Sequence, residues 1–234
     1  AIADAITEKT KIVLINSPNN PTGQIYDSAS LDALGKILEQ KSGQFGHTIY
    51  LVSDEPYRKI VFDDARVPSI FQSYAQSILA TSYSKDISIP GERIGFAAVN
   101  PGATYKKELM AGMALTNRIL GFVNAPALMQ RVVACMQGMS VDISEYKRKR
   151  DLFCEGLADA GYTFTKPVGA FYLFPQTPIA DDVAFVKELQ KELILVVPGS
   201  GFAGPGHFRI AFCVDDQTIV KALPGFKRVM QKYQ

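Results

Sequence analysis

The sequence predicts an α/β protein with a mostly parallel sheet in its first part and a smaller α/β domain at its C-terminal end. Short apolar runs rich in β-branched and aromatic residues alternate with amphipathic helical patterns. A segment long enough for a crossover helix separates the first two runs, as parallel strands require. Because long helical patterns later give way to short strands and helices, we place a domain boundary near residue 140, between residues 1–140 and 141–234.

Four short apolar segments in the first part are predicted strands. Each is bounded by turn residues: KIVLIN (11–16), TIYLVS (48–53), SILATS (77–82) and RIGFAAVN (93–100). Their nearly continuous apolar character predicts a sheet that is covered on both faces. The connection between the third and fourth segments is too short for a crossover helix, so we expect the fourth strand to run antiparallel.

The segment SASLDALGKILEQ (28–40), between the first two strands, is predicted to form the crossover helix. Ser28 or Ser30 is its candidate N-cap, because serine oxygens accept hydrogen bonds from the free N–H groups of a first helical turn. One face of this helix is apolar and should pack on the sheet. It consists of Leu31, Leu34, Ile37 and Leu38.

Three further helical patterns and then short strands follow after residue 101. The helices are predicted at 105–120, 125–139 and 144–161, and Gly161 is a suitable C-cap for the last of them. The later predicted elements are strands at GAFYLFP (169–175), LILVVPG (193–199) and HFRIAFCV (207–214), a helix around 181–191 and a C-terminal helix. Because no low-complexity linker marks the boundary, we expect a shared helix to join the two parts.

Composition and charge exclude several classes of protein. Of the 234 residues, 47% are hydrophobic and 21% are charged, and the net charge of +2 provides no basic field for nucleic acid. No apolar run approaches the ~20 residues of a membrane span, and the first residues lack a signal-peptide pattern. We therefore expect a cytoplasmic protein. Cys135, Cys154 and Cys213 have no metal-like spacing, so we expect buried, reduced thiols and no metal.

Polar residues gather where the predicted strands end, which is where ligands bind in open parallel sheets. NSPNNPTG (16–23) follows the first strand, SDEPY (53–57) the second and SYSK (82–85) the third, while Arg93 begins the fourth. Taken singly, each is an ordinary turn, helix cap or surface residue. Their occurrence together, each at a strand end, favours one binding site for a small anionic, aromatic ligand.

These segments, with GHFRIAF (206–212), resemble in order the signature segments of class I/II pyridoxal-phosphate (PLP) aminotransferases of the aspartate aminotransferase type. The resemblance runs over the whole chain. It implies the PLP-dependent transferase fold, with an incomplete large domain and a small C-terminal domain. It also implies a homodimer with PLP as cofactor, which moves an amino group between an amino acid and a 2-oxo acid through a lysine aldimine.

The resemblance assigns the residues around the cofactor ring. By it, Lys85 forms the aldimine, Asp54 pairs with the pyridinium nitrogen, and Tyr57 and Asn20 contact the phenolic oxygen. The chemistry agrees with these residue types, because a lysine amine can both form a Schiff base and move a proton.

The resemblance also assigns the anion-binding residues. Ser82, Ser84 and Arg93 would hold the phosphate, and Arg209 would bind the substrate α-carboxylate beside Asn20. A phosphate dianion favours a guanidinium and small donors, which explains why hydroxyl residues surround the lysine.

Family features that lie upstream of the first strand have no counterpart here, among them the aromatic residue over the ring and a small-residue phosphate loop. We therefore expect a C-terminal fragment that is inactive alone and binds PLP weakly or not at all. Because its sheet edges and apolar faces are exposed, we expect it to be ordered only by self-association or by pairing with the missing segment. Two alternatives remain open. One is another PLP enzyme of the same fold, such as a β-lyase or an aminocyclopropane carboxylate synthase, and the other is a non-catalytic PLP-sensing domain or an inert fragment.

Overall fold

The computed structural model describes residues 1–234, and the chain divides into two compact units. The first unit comprises Ala1–Pro18, Ile25–Lys59 and Arg66–Val141, and the second comprises Asn19–Gln24, Ile60–Ala65 and Asp142–Gln234. Two short segments from early in the sequence therefore belong to the second unit. The assignment of residues 1–140 and 141–234 to separate domains stays a prediction.

A four-stranded sheet forms the centre of the first unit. Its strands are β1 (Ile12–Asn16), β2 (Tyr50–Asp54), β3 (Ser77–Ser82) and β4 (Gly95–Val99), in the order β1-β2-β3-β4. The first three strands are parallel, and β4 is antiparallel to β3. The four predicted strands and the antiparallel direction of the fourth are confirmed.

Five helices complete the first unit: α1 (Ile2–Ala5), α2 (Ser28–Phe45), α3 (Ile70–Ser73), α4 (Lys106–Ile119) and α5 (Ala127–Cys135). The crossover helix α2 is confirmed, but its predicted cap is wrong. Asp27 is the N-cap, and its carboxylate accepts from the backbone N–H of Ser30 at 2.7 Å. Ser28 and Ser30 lie inside the first turn, where the stronger carboxylate acceptor one residue earlier replaces them.

One face of the sheet packs against α2 and α3. Leu31, Leu34 and Leu38 of α2 join strand residues in one buried apolar cluster, which confirms the predicted apolar face. On the other face of β1, Ile12 and Leu14 are 58% and 67% exposed. The prediction of a sheet covered on both faces is therefore wrong for β1, which is also one of the two sheet edges.

The second unit holds a three-stranded antiparallel sheet and three helices. The strands β5 (Tyr172–Leu173), β6 (Val197–Pro198) and β7 (Phe208–Ala211) have the order β5-β7-β6, and the helices are α6 (Ile143–Asp159), α7 (Asp182–Lys191) and α8 (Asp216–Gln231). The strands are shorter than predicted, because β-propensity extends beyond the residues that pair. The chain passes between the units at five points, and the one nearest the predicted boundary, at residues 141 and 142, lies in the loop between α5 and α6. The prediction of a shared joining helix is therefore wrong.

Aromatic side chains fill the core of the second unit. Tyr162 contacts the rings of Phe185, Phe208 and Phe226, and its hydroxyl donates to the Phe226 carbonyl at 3.0 Å. This cluster packs α7 and α8 behind β7 and so fixes the strand that carries Arg209.

All three cysteines are free thiols, but only Cys154 is buried. Cys135 and Cys213 are exposed, so the prediction of three buried thiols is wrong for these two. Both lie at the ends of elements, where the apolar pattern of the sequence does not decide exposure. No helix of the structure has the length and apolar character that a membrane crossing needs.

Candidate active site

Polar side chains from three neighbouring strands lie on one face of the first unit's sheet, at the ends of β1, β2 and β3. Asn16 pairs directly with Asp54 in the parallel register of β1 and β2. Asp54 in turn pairs with Ala80 of β3. Because side chains alternate along a strand, Ser82 points to the same face as Ala80 and therefore as Asp54. The structure thus brings two predicted site residues to one edge.

The Asp54 carboxylate is half-buried and is held by one amide. Asn16 Nδ2 donates to Asp54 Oδ2 at 3.1 Å and to the Asp54 carbonyl at 2.9 Å. Burial raises the pKa of Asp54, and the hydrogen bond from Asn16 opposes this rise. A cation placed beside this carboxylate would relieve the cost of its burial. Asn16 was missed by the sequence reasoning, although its position opposite Asp54 in register was a usable signal.

Lys85 is half-buried in the turn that follows β3, and the structure fixes the residues around it. Tyr83 donates its backbone N–H to the Ile94 carbonyl at 3.1 Å. The next residue after the lysine, Asp86, is buried and pairs with Lys59 Nζ at 3.0 Å. Local sequence gave no signal for this anchoring role of Asp86.

The strand pair at Ser82 requires a glycine opposite it. Ser82 pairs with Gly95, where a Cβ atom would overlap the Thr81 carbonyl and crowd Ser82. Arg93 precedes this glycine with a left-handed backbone (φ +50°), and its exposed guanidinium donates to the Pro90 carbonyl at 2.9 Å. Ser84 is half-buried. Arg93 therefore lies two residues before the glycine that pairs closely with Ser82.

Tyr57 is 4% exposed and lies in the short segment after β2. This segment is tied to β3, because Glu55 donates its backbone N–H to the Ala80 carbonyl at 2.8 Å and accepts at its own carbonyl from Thr81 Oγ1 at 3.0 Å. Arg58 Nη1 pairs with the buried Glu55 carboxylate at 2.5 Å. The turn that carries Tyr57 is thus rigidly placed.

A cavity of about 350 Å³ lies on the opposite face of the sheet. Glu55 and Thr81, which adjoin Asp54 and Ser82 in sequence, line it together with Phe96 and with Ser82 itself. The cavity is mostly apolar, and it reaches the predicted site residue Ser82.

The remaining predicted site residues, Asn20 and Arg209, belong to the second unit and contact each other there. Arg209 Nη1 donates to Asn20 Oδ1 at 3.0 Å. The guanidinium lies between two aromatic rings, 4.7 Å from the centroid of Tyr172 and 4.6 Å from that of Phe202. Its Nε is buried and has no hydrogen-bond partner. A planar cation with an orphaned buried donor is suited to a carboxylate ligand.

The sequence reasoning missed Tyr172 and Phe202. Tyr172 lies in β5, which is adjacent to β7 in the sheet, and Phe202 lies in a 3₁₀ turn at 199–202. Tyr172 is part of the predicted strand at 169–175, and Phe202 lies between the predicted strands at 193–199 and 207–214, so nothing local distinguished either from a core residue.

Comparison with known proteins adds a family to this geometry. The model of the family "Aminotransferase class I and II" matches residues 1–225. The chain belongs to this family.

Relatives of this aminotransferase chain share both its sequence and its fold. It is 31% identical to a probable aspartate aminotransferase of Methanocaldococcus jannaschii, over 98% of this chain and 61% of the relative. An aminotransferase from Eubacterium rectale is 41% identical in sequence to this chain, and its crystal structure matches with a TM-score of 0.97. The match covers 100% of this chain and 58% of that one. The aspartate aminotransferase of Thermus thermophilus, solved with maleate, is 29% identical in sequence to this chain, and its structure matches with a TM-score of 0.82. The match covers 97% of this chain and 59% of that one.

The aminotransferase chain therefore spans about three fifths of the length of the relatives it matches. The family match and these solved structures confirm the prediction of an α/β aminotransferase fold. The roles of the individual site residues stay predictions.

Proposed function

We propose that the protein is a PLP-dependent aminotransferase, which moves an amino group between an amino acid and a 2-oxo acid. The observation that carries the proposal is the sheet edge at which Asp54, Ser82 and the turn bearing Lys85 come together, in a chain of the aminotransferase family. The residues fit PLP, because a lysine, a half-buried carboxylate and hydroxyl donors match its aldehyde, ring nitrogen and phosphate.

In this proposal, PLP supplies the electron sink when it is bound, and the chain's residues keep it charged and oriented. Lys85 binds the cofactor covalently and, as a free amine, moves a proton at the substrate Cα. Ser82, Ser84 and Arg93 hold the phosphate. Tyr57 is held rigidly after β2 to contact the phenolic oxygen from the protein side.

The electrostatic interaction that Asp54 can supply is large enough to keep the ring nitrogen of PLP protonated. Raising the pKa of a ring nitrogen by about two units takes roughly 2.7 kcal/mol. One carboxylate at ~4 Å, at an effective dielectric near 20, supplies about 4 kcal/mol before desolvation is subtracted. Burial raises the pKa of Asp54, and a cation beside the carboxylate would lower that pKa again. One carboxylate is therefore sufficient.

Arg209, in the second unit, is the proposed binding residue for the substrate α-carboxylate. The guanidinium of Arg209 donates to an amide oxygen of Asn20 and not to a carboxylate, so an α-carboxylate can accept from its other donors. Asn20 fixes the orientation of the guanidinium. The names of the relatives and the maleate in the Thermus thermophilus structure support an anionic substrate. We include in the proposal a homodimeric, cytoplasmic enzyme, which agrees with three free thiols.

The test is a lysine substitution in the protein expressed from its complete reading frame. We expect the wild type to show the visible absorbance that PLP acquires when bonded to a lysine. Lys85→Ala should remove both this absorbance and transamination, because no other amine is placed in the turn after β3. The matched control is Lys36→Ala, which removes an exposed lysine of α2 and should change neither. Unchanged absorbance and activity in Lys85→Ala would refute the assignment.

A further inference from the structure

Arg150 of α6 is a buried arginine that the proposed function does not use. Its side chain is 0% exposed, and all three guanidinium nitrogens have partners. Nη1 donates to Asp63 Oδ2 at 2.6 Å and to the Pro167 carbonyl at 3.0 Å, while Nε donates to Asp151 Oδ1 at 3.0 Å. The guanidinium carbon lies 4.8 Å from the Phe62 ring centroid. A charge buried this completely keeps a single geometry.

The carbonyl that Arg150 holds belongs to a short loop, residues 166–170, which we call the clamp loop. Its backbone grips the segment that contains Asn20. Val168 and Gly169 both donate their N–H groups to the Gly23 carbonyl, at 3.0 and 2.9 Å. Gln24 Nε2 donates to the Lys166 carbonyl at 3.2 Å. The clamp loop therefore fixes the end of the Asn20 turn through three hydrogen bonds.

The fit between the clamp loop and this turn leaves no free space. Gly23 has a left-handed backbone (φ +66°), and a Cβ atom there would overlap Pro167 Cβ and the Gly169 carbonyl. Only glycine meets both requirements. A shift of Pro167 is thus transmitted directly to Gly23, because closely packed atoms have no slack to absorb it.

The turn itself is rigid between Gly23 and Asn20. Gly23 donates its N–H to the Asn19 carbonyl at 2.8 Å, and Thr22 donates its N–H and its hydroxyl to Asn19 Oδ1 at 3.1 and 2.8 Å. Asn20, the next residue, accepts from Arg209 Nη1. The contacts therefore run without a break from Arg150 through the clamp loop to the Arg209 guanidinium.

We propose that Arg150 is a positioning residue for the carboxylate site, which sets the orientation of Arg209 through the clamp loop, Gly23 and Asn20. This inference rests on the proposed function for the meaning of that orientation, but the coupling itself is a property of the second unit. Arg150 contacts no ligand. It fixes the position of the Asn20 amide oxygen. Because this oxygen accepts from Arg209, its position sets the direction of the other Arg209 donors.

The experiment compares three variants by two measurements on the protein from its complete reading frame. Arg150→Gln removes the guanidinium that holds the clamp loop. Asp63→Asn keeps Arg150 but removes the charge of its principal partner, and so weakens its hold on the clamp loop. The control Leu157→Ala opens a cavity under the same helix, because Leu157 is 0% exposed, and it touches none of the clamp contacts. It therefore reports what a loss of stability alone does.

The first measurement is the Arg209 Nε–H signal in ¹⁵N-arginine-labelled protein without ligand, identified by its loss in Arg209→Lys. The second is calorimetric affinity for maleate. We expect Arg150→Gln and Asp63→Asn to shift the signal and to weaken maleate binding by roughly 10- to 100-fold, as remote misplacement of a positioning group does. PLP affinity should stay at the wild-type value in both, and Leu157→Ala should leave the signal and the maleate affinity unchanged.

An unshifted Arg209 signal with wild-type maleate affinity in Arg150→Gln overturns the inference. Equal effects in Leu157→Ala also overturn it, because the role would then be structural only. If Arg150→Gln does not fold, Asp63→Asn decides by the same two readouts. If the wild type binds no maleate but the ligand-free signal still shifts in the variants, the proposed role of Arg209 as the carboxylate-binding residue is refuted. The positioning role of Arg150 then still stands.

Discussion

Two arginines of the second unit lie against aromatic rings but differ in what their nitrogens contact. Arg150 lies 4.8 Å from Phe62 and donates to two carboxylates and a carbonyl. Arg209 lies between Tyr172 and Phe202, donates to one amide oxygen, and has a buried Nε without a partner. The aromatic environment is shared, and the set of hydrogen-bond acceptors is not.

The difference supports the proposal that Arg209, and not Arg150, binds a ligand. Burying a charge is costly unless it is paired, so the complete pairing of Arg150 stabilises the folded chain. Arg209 retains the cost of an unsatisfied donor, which a bound carboxylate would relieve in the proposed function. Three predictions test this contrast, in order of expected size.

Arg150→Ala should lower the free energy of unfolding by about 3–5 kcal/mol, because it leaves a cavity where a fully buried side chain packed on Phe62 and removes the cation that pairs with Asp63 and Asp151. Urea unfolding followed by circular dichroism measures the change. The matched control on the same helix is Arg148→Ala, whose side chain is 48% exposed and pairs with Glu145 and Asp216. It should cost far less than Arg150→Ala, because exposed ion pairs are screened by solvent and contribute little. Equal costs for the two variants would contradict the structural role of Arg150.

Arg209→Ala should show the reverse pattern. It should weaken amino-acid or maleate binding by ~2–4 kcal/mol, the range for removing one partner of a buried charge pair, while PLP binding survives. The free energy of unfolding should change less than in Arg150→Ala, because the guanidinium of Arg209 makes a single hydrogen bond within the protein. Calorimetry and PLP titration on the same preparation give both numbers. Loss of PLP with intact substrate affinity would show that the wrong arginine carries the carboxylate.

Acid should destabilise the Arg150 cluster selectively. Burial alone would raise the pKa of Asp151, but Lys147, Lys166 and Arg150 outweigh it and hold this pKa well below its usual range. A carboxylate with a lowered folded pKa stabilises the fold above its unfolded pKa of about 3.9, and this stabilisation is lost as pH falls below that value.

The free energy of unfolding, measured in urea from pH 6 down to pH 3, should therefore fall less steeply in Asp151→Asn than in the wild type. We expect this difference to be smaller than either arginine effect, because the Asp151 side chain is 26% exposed. Arg209→Ala serves as the comparison and should keep the wild-type slope, since its hydrogen-bond acceptor is an amide. Parallel slopes in Asp151→Asn and the wild type would contradict the assignment.

The sequence was sufficient where the signal is local. Alternation and apolar runs gave β1 to β4, and the spacing of Leu31, Leu34 and Leu38 gave the buried face of α2. The short connection to β4 gave its antiparallel direction. Local pattern failed at the α2 cap, where Asp27 competes with two nearby serines, and at the exposed cysteines, whose burial depends on neighbours distant in sequence.

The sequence by itself determined which residue types stand at the strand ends, and with them the family, because lysine, aspartate and arginine must appear in a fixed order along the chain. Only the tertiary structure decided how these residues are held. Asn20 and Arg209 are 189 positions apart, and Asp63 and Arg150 are 87 apart. No local periodicity specifies such contacts, since they depend on how the clamp loop packs against Gly23. That packing decides which arginine is saturated and which retains a donor for a ligand.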